Sequence, residues 1–182
     1  MPLLAVLQLL PLAGAGLVLA MGERLLAVRM GKVVALAELL LAAWVAAHVD
    51  SASSAFQLAE RMPALAYHVG VDGIAIVFIL AAALLTFLMT LYGMSRGMIS
   101  PGRLFAVLLV AEAGFIGMLV TLNVAWFAVF SLLELWSVVY LLRRWASSRA
   151  EIQALARFIQ YQGFGWLMFA AGCVVLGWGH AE

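Results

Sequence analysis

Three glutamates lie inside long apolar stretches of the sequence: Glu38, Glu112 and Glu134. An ionised side chain at the centre of a bilayer costs about 2.5–3.5 kcal/mol on insertion scales, so such residues usually face a bundle interior or water and mark proton or ion paths. Glu112 follows Arg103 by nine residues and Glu134 precedes Arg143 by nine, which is about 13.5 Å along a helix. The three glutamates are therefore proton-path candidates, with Glu112 and Glu134 near the midplane.

The helices that carry these glutamates determine how the carboxyl groups could meet. A short turn near Asn123 makes the helices of Glu112 and Glu134 antiparallel neighbours. If the two carboxyl groups face each other, they share a proton, as a proton relay requires. Glu38 lies six residues after Lys32, about 9 Å along the helix, so we expect it nearer the inner surface. The alternative is that each glutamate is protonated and only hydrogen-bonds a neighbouring helix.

The composition excludes several classes of protein. Of the 182 residues, 67% are hydrophobic and 10% charged, and the net charge is +1. The mean hydropathy is +1.13. Soluble domains contain about 45–50% apolar and about 25% charged residues. A soluble enzyme, a disordered chain and a nucleic-acid-binding protein are therefore excluded, and we predict an all-α integral membrane protein.

Six apolar segments are bounded by charged or turn residues, and most approach the length needed to cross the hydrocarbon core, about 20 residues. Since lipid cannot satisfy backbone hydrogen bonds, these segments are expected to be helices. In the long outer loop, residues 50–72, we expect a short amphipathic helix at residues 56–61, limited by Pro63. Residues 1–182 then form one domain, a bundle of about six transmembrane helices at residues 3–20, 28–47, 73–94, 104–122, 124–142 and 154–178.

The basic residues predict the orientation of the bundle. Arg61 alone falls in the long outer loop, and the other nine of the ten cations fall on the opposite side: Arg24, Arg29, Lys32, Arg96, Arg103, Arg143, Arg144, Arg149 and Arg157. Cytoplasmic loops carry an excess of Lys and Arg. Both termini are therefore expected on the non-cytoplasmic side of a multi-pass protein in the inner (cytoplasmic) membrane.

The sequence contains no motif for a resident cofactor or metal. Cys173 is the single cysteine, which excludes an intrachain disulfide and a cysteine metal cluster. His48, His68 and His180 fall toward the outer side without the spacing of metal ligands. We expect no catalytic residue and no cofactor-binding or metal site in this chain, and redox cofactors only in partner subunits.

Three stretches carry a resemblance to a known family. The first is Tyr67-His68-Val69-Gly70-Val71-Asp72-Gly73-Ile74, the second is Glu112-Ala113-Gly114-Phe115-Ile116-Gly117 followed by Asn123, and the third is Arg157-Phe158 followed by Tyr161 and Gly165. Together they resemble the third, fourth and sixth helices of the antiporter-like membrane subunits of respiratory complex I. The chain-M (subunit 4) type of NADH:quinone oxidoreductase is most similar, and Mrp-type cation/proton antiporters share the fold.

The resemblance covers essentially all of the chain and the N-terminal six helices of the family. Family members have about fourteen helices, and the broken helix and central lysines of their proton channel follow the part that is matched, so the resemblance implies a truncated form. The family also carries a glutamate in its fifth helix. A gapless alignment places Ser131-Leu132 at that position and Glu134 two residues later, about 200° around the helix. The family role falls on Glu134 only if the helix is offset.

Two functions are compatible with this sequence. The first is a membrane subunit of a complex I-like or Mrp-like assembly, contributing to proton or cation translocation coupled to quinone-linked electron transport. The second is a non-pumping accessory or structural subunit of a larger respiratory or photosynthetic membrane complex. In both cases the expected partners are other integral membrane subunits and lipid, without nucleic acid. Any enzymatic activity would belong to the assembly, in which this chain is a non-redox subunit.

Overall fold

The computed structural model describes residues 3–22, 24–50, 53, 55–62, 66–95, 101–146 and 148–179. Pro63, Arg96 and His180 lie outside the described residues. Helices and one two-stranded antiparallel sheet make up the described chain. In chain order they are α1 (Leu3–Met21), α2 (Leu25–His48), β1 (Gln57–Met62), β2 (Tyr67–Val71), α3 (Gly73–Ser95), α4 (Pro101–Val120), α5 (Val124–Trp145) and α6 (Arg149–Gly179).

The helices confirm the predicted all-α membrane fold. In the described chain, α1, α3, α4, α5 and α6 are long and apolar enough to cross a bilayer. α2 is not among these five, but its 24 residues make about 36 Å of helix, and it packs against α1, α3 and α4. α2 begins at Leu25 and α6 at Arg149, both earlier than the apolar segments predict.

α4 lies at the centre of the bundle and packs against α1, α2, α3 and α5. Its glycines permit this close packing. A Cβ on Gly114 would lie 3.0 Å from the Glu134 backbone nitrogen of α5, and a Cβ on Gly117 would lie 2.5 Å from the ring of Phe130. Such distances leave no room for a larger residue, so α5 is fixed against this face of α4.

The loop between α2 and α3 contains a β-hairpin, and the predicted helix at residues 56–61 is wrong. β1 pairs antiparallel with β2, with an irregularity between Gln57 and Glu60. β2 continues the pairing onto the end of α4, where Val69 bridges Thr121 and the Leu122 amide donates to the His68 carbonyl at 2.8 Å. The backbone pairing of β1 with β2, and of β2 with the turn after α4, outweighs the preference of residues 56–61 for a helix.

The hairpin gathers the N-termini of three helices at one end of the bundle. The Glu60 carboxylate accepts hydrogen bonds from the Leu4 amide at 2.8 Å and the Ala5 amide at 3.3 Å in α1. Asp72 accepts from the Ala75 amide at 2.6 Å at the start of α3. Asn123 accepts from the first turn of α5 and donates to the Ala66 carbonyl at 2.8 Å. These contacts satisfy amides that a helix leaves without partners.

We call the end of the bundle that contains the β-hairpin the hairpin end, and the opposite end the arginine end. α1, α3 and α5 begin at the hairpin end, so the α1–α2, α3–α4 and α5–α6 connections lie at the arginine end. The cations described there are Arg24, Arg29, Lys32, Arg103, Arg143, Arg144 and Arg149. The topology therefore separates these cations from Arg61 of β1, in agreement with the predicted asymmetry of charge.

Candidate functional site

Two glutamates meet in the interior of the bundle. Glu38 of α2 is 0% exposed and Glu112 of α4 is 4% exposed. The two side chains are close enough to interact electrostatically. None of the four carboxyl oxygens has a hydrogen-bond partner among the described residues. The structure thus places two acidic groups together in an apolar interior, an arrangement that is strongly unfavourable when both are ionised.

The spacing of residues on α2 and α4 explains how these glutamates meet. Both helices run from the arginine end to the hairpin end. The Phe105 ring of α4 lies in the space that a Cβ on Gly31 of α2 would occupy, with its Cδ2 atom 2.9 Å away. Glu38 follows Gly31 by seven residues and Glu112 follows Phe105 by seven. Seven residues make about two helical turns, so both carboxylates return to the shared interface, about 10.5 Å further along.

A polar side chain of α3 faces this pair. Thr86 lies against Glu112 and is almost completely buried. One turn closer to the arginine end, the buried Thr90 hydroxyl donates to the Phe87 carbonyl at 2.7 Å. Hydroxyl groups can both donate and accept hydrogen bonds. The site therefore combines two carboxyl groups with one hydroxyl that can exchange partners.

Glu134 lies in different surroundings. It lines a cavity of about 260 Å³ between α5 and α6, together with Ser131, Gln162 and Trp166. The Trp166 indole donates to the Ser131 hydroxyl at 3.1 Å and to the Ala128 carbonyl at 3.3 Å. This cavity is half-open, and its polar groups come from both helices. Glu134 thus belongs to a second polar site, separate from the buried pair.

The structure does not bring Glu112 and Glu134 together. Gly114 packs against the backbone of Glu134, so the two glutamates do lie at similar depth, within about 3 Å along the helix. Two residues turn a helix by about 200°, so Glu112 leaves α4 on the face opposite to Gly114. The glutamate that lies near Glu112 is instead Glu38, which is fully buried; its expected position nearer the inner surface stays a prediction.

Two signals in the sequence could have predicted this arrangement. Gly114 and Gly117 mark the face of α4 that packs against α5, which already excludes Glu112 from that face. The seven-residue spacings from Gly31 to Glu38 and from Phe105 to Glu112 are the second signal, but they become informative only when α2 and α4 are known to be parallel neighbours. In the part of the chain that is described, no group of three or more His, Cys, Asp or Glu residues could hold a metal ion.

Comparisons with known proteins agree with this architecture. No family model matches the chain. The chain is 29% identical over 164 residues to F(420)H(2) dehydrogenase subunit M of Methanosarcina mazei, an alignment that covers 87% of this chain and 33% of that protein. It also superposes on a chain of the membrane-bound sulfane sulfur reductase, an archaeal respiratory membrane complex, with a TM-score of 0.80, 22% sequence identity and coverage of 94% and 36%.

These similarities confirm the resemblance to the antiporter-like membrane subunits of complex I-like assemblies. The chain is a multi-pass membrane protein, and its described helices have the arrangement found in a subunit of a solved respiratory membrane complex. It spans about a third of the length of the relatives that it matches. The similarity therefore applies to the six-helix region that contains both glutamate sites.

Proposed function

We propose that this chain is a membrane subunit of a complex I-like or Mrp-like assembly in the cytoplasmic membrane. In this assembly it contributes to proton or cation translocation coupled to quinone-linked electron transport. Its resemblance to subunits of respiratory membrane complexes supports the assignment. The observation that carries the proposal is the burial of Glu38 and Glu112 on the packed helices α2 and α4, where their four oxygens lack hydrogen-bond partners among the described residues.

A proton bound between Glu38 and Glu112 accounts for this arrangement. Burying an ionised carboxylate without a partner costs several kcal/mol, and a second carboxylate beside it adds repulsion. A shared proton removes one charge and gives the other carboxylate a donor, so the pair titrates as a unit. The Thr86 hydroxyl next to Glu112 offers a further donor when the proton leaves. The two glutamates thus form one proton-binding station within the bundle.

Glu134 serves this function at another position. It borders the open cavity between α5 and α6, where a neighbouring membrane subunit can approach. A proton or cation that crosses the assembly would pass from this cavity to groups of that subunit. Partner subunits also hold the redox cofactors, since this chain supplies neither a cysteine cluster nor a nucleotide-binding motif.

The test replaces the buried acids in the intact assembly. Glu38→Gln and Glu112→Gln preserve the size of the side chain and remove its charge, and Glu151→Gln on the exposed face of α6 is the matched control. Proton uptake is measured in vesicles with a pH-sensitive dye while the electron donor is oxidised. We expect proton uptake to fall in each buried variant, because losing a positioned proton-transfer group slows the transfer about 100-fold or more, and to remain unchanged in the control.

Unchanged proton uptake in both buried variants, with normal assembly, would contradict this function and favour an accessory role. One observation supports that second candidate. α6 exposes large apolar side chains along its length, including Phe164, Val175 and Leu176, a surface suited to packing against other subunits. In the accessory role, deletion of the chain dissociates the assembly although the glutamine variants keep full activity.

A further inference from the structure

The buried face of α3 changes from apolar to polar along the helix. Its residues follow one another at spacings of three and four, which places them on one face of a helix; in order they are Ile76, Ile79, Ala83, Thr86 and Thr90. The first three are apolar and lie toward the hairpin end, where α3 begins. The last two carry hydroxyl groups and lie nearer the arginine end. The polar part of this face therefore extends toward one end of the bundle.

The polar part begins at the depth of the two buried glutamates. Thr86 lies against Glu112, and the fully buried Thr90 follows it by four residues, about 6 Å along α3. Glu112 is nine residues from Arg103, about 13.5 Å along α4, and α3 packs against α4. Thr90 therefore lies about halfway between the buried carboxyl groups and the arginine end.

The neighbours of Glu38 and Glu112 on their own helices are apolar. The buried residues one turn before and one turn after each glutamate are Ala35 and Ala42 on α2, and Leu109 and Ile116 on α4. They belong to two packed clusters, one around Phe105 at the arginine end and one that includes Val69 of the hairpin. Because close packing leaves little space for water, these faces of α2 and α4 do not offer a polar route to the glutamates.

Two further buried polar side chains of the described chain lie on other faces of α4. Gln8 of α1 lies against Gly117, which is five residues and about 140° around α4 from Glu112. Ser137 is on α5, which packs on the face of α4 opposite to Glu112. Among the buried polar residues that the structure describes, the two threonines of α3 are therefore the ones that continue from the glutamates toward an end of the bundle.

We propose that Thr86 and Thr90 conduct protons between the arginine end and the pair formed by Glu38 and Glu112. This inference rests on the proposed function and adds to it the route and the end from which the pair is loaded. A hydroxyl group can accept one hydrogen bond while it donates another. The Thr90 hydroxyl donates to the Phe87 carbonyl at 2.7 Å, so its lone pairs remain able to accept.

The transfer leaves each hydroxyl group with the one proton that it had before. A proton that reaches the Thr90 Oγ1 atom releases the proton already bound there, which passes to Thr86. Thr86 in turn releases its own proton to a carboxylate oxygen of Glu112. Side chains four residues apart on a helix are separated by about 6 Å, a distance that a single water molecule bridges with hydrogen bonds of about 2.8 Å to each hydroxyl.

The test follows the exchange of the shared proton for deuterium in the purified full chain. Deuteration shifts the carbonyl stretch of a protonated carboxyl group, so the infrared band of the pair reports its own exchange after transfer to heavy water. All variants carry Glu134→Gln, so that the band belongs to the pair. In Thr90→Val we expect the band at its original intensity and an exchange that is slower by about 100-fold, the size typical of losing a positioned proton-transfer group.

Thr86→Val is a second variant with the same expected direction, and Thr90→Ser, which keeps the hydroxyl, should exchange at nearly the original rate. Ser137→Ala is the matched control. Ser137 is also a fully buried hydroxyl that donates within its own helix, to the Leu133 carbonyl at 2.9 Å, but it does not adjoin the pair. Gln8→Met removes a buried polar group on the hairpin side. Exchange should remain unchanged in both controls, and thermal unfolding shows that each variant keeps its fold.

Three results would overturn the proposal. Unchanged exchange in both threonine-to-valine variants shows that the hydroxyl groups do not conduct the proton. Equal slowing in Ser137→Ala makes the effect one of packing, and slowing in Gln8→Met alone places the route at the hairpin end. A band that is present but exchanges independently of Thr86 and Thr90 contradicts the route alone. A missing band contradicts the shared proton and with it the proposed function, so the two failures can be distinguished.

Discussion

The bundle of α1–α5 with the hairpin and the last described helix, α6, are both rich in apolar residues but use them differently. In the first region Leu4, Val45, Ile79 and Phe105 are fully buried. In α6, large apolar side chains face outward. Apolar composition therefore does not decide whether a membrane helix is buried. Small residues with a close neighbour and polar groups that cap helix ends accompany burial, and both are concentrated in the first region.

Glycines allow the most direct comparison of the two regions. Gly14 packs against Val34, and Gly117 packs against Phe130. Gly163, Gly165, Gly172 and Gly177 of α6 have no neighbouring atom within 4 Å of the position of a Cβ in the described chain. No described residue therefore packs closely against these four glycines.

The largest effect is expected for Gly117→Ala. Its Cβ would lie 2.5 Å from the Phe130 ring and 2.5 Å from the Gln8 side-chain nitrogen, so the Gln8 side chain must move aside and the Phe130 ring of α5 must shift. We expect a loss of about 1–3 kcal/mol in the free energy of unfolding, measured by denaturation in mixed micelles. Gly172→Ala is the control and should change the stability by less than about 1 kcal/mol, with either sign. Equal losses in both variants would contradict the contrast between the two regions.

The next largest loss of stability is expected when the helix N-terminal caps of the two regions are weakened. Glu60→Gln weakens the hydrogen bonds that its carboxylate accepts from the Leu4 and Ala5 amides. Because this cap joins the hairpin to a distant helix, we expect a loss of about 1 kcal/mol in the free energy of unfolding. Glu151→Gln affects a local cap at the exposed start of α6 and should cost only a few tenths of a kcal/mol. A larger loss for Glu151→Gln would reverse the comparison.

Trp166→Phe weakens the polar contact between α5 and α6. The indole donates to Ala128 and Ser131, and interhelical hydrogen bonds in membranes contribute about 0.6 kcal/mol on average. Hydrogen–deuterium exchange should become faster in the half of α6 near the hairpin end, while exchange in α1–α4 remains unchanged. Faster exchange throughout the molecule would show that the two regions unfold as one unit.

The smallest effect at neutral pH is expected for Tyr67→Phe. Burial, with the charge of Glu60 as a second cause, raises the pKa of Tyr67 to about 12 from 10.0. The stability linked to this shift is complete below pH 10 and is lost as the pH rises through about 12. The Tyr67→Phe variant should lose less stability across this interval than the wild type. Tyr161→Phe, at a residue 77% exposed, should leave the wild-type pH profile unchanged.

The positions of the helices could be predicted from the sequence because an apolar run of about 20 residues has few alternatives in a membrane. The hairpin could not. β1 has no β-branched residue and resembles an amphipathic helix, and its strand geometry depends on pairing with β2 and on the contact of Glu60 with α1. Hydrophobicity also could not predict that α6 would begin at Arg149, where Ser148 and Glu151 form the cap.

The candidate site was predictable in its residues but not in its geometry. Acidic residues in apolar segments are rare, so Glu38, Glu112 and Glu134 can be identified from the sequence alone. Which of them meet depends on the packing of non-consecutive helices. α2 and α4 are separated by the hairpin and α3 along the chain, and no local pattern specifies that they lie side by side.

The central claim is that Glu38 and Glu112 share a proton, and infrared spectroscopy of the purified chain tests it most directly. At neutral pH the wild type should show the carbonyl stretch of a protonated carboxyl group. This band should shift in each single glutamine variant and disappear in Glu38→Gln/Glu112→Gln, while Glu134→Gln retains it. A wild-type spectrum without this band, or a double variant that keeps it at full intensity, would contradict the account.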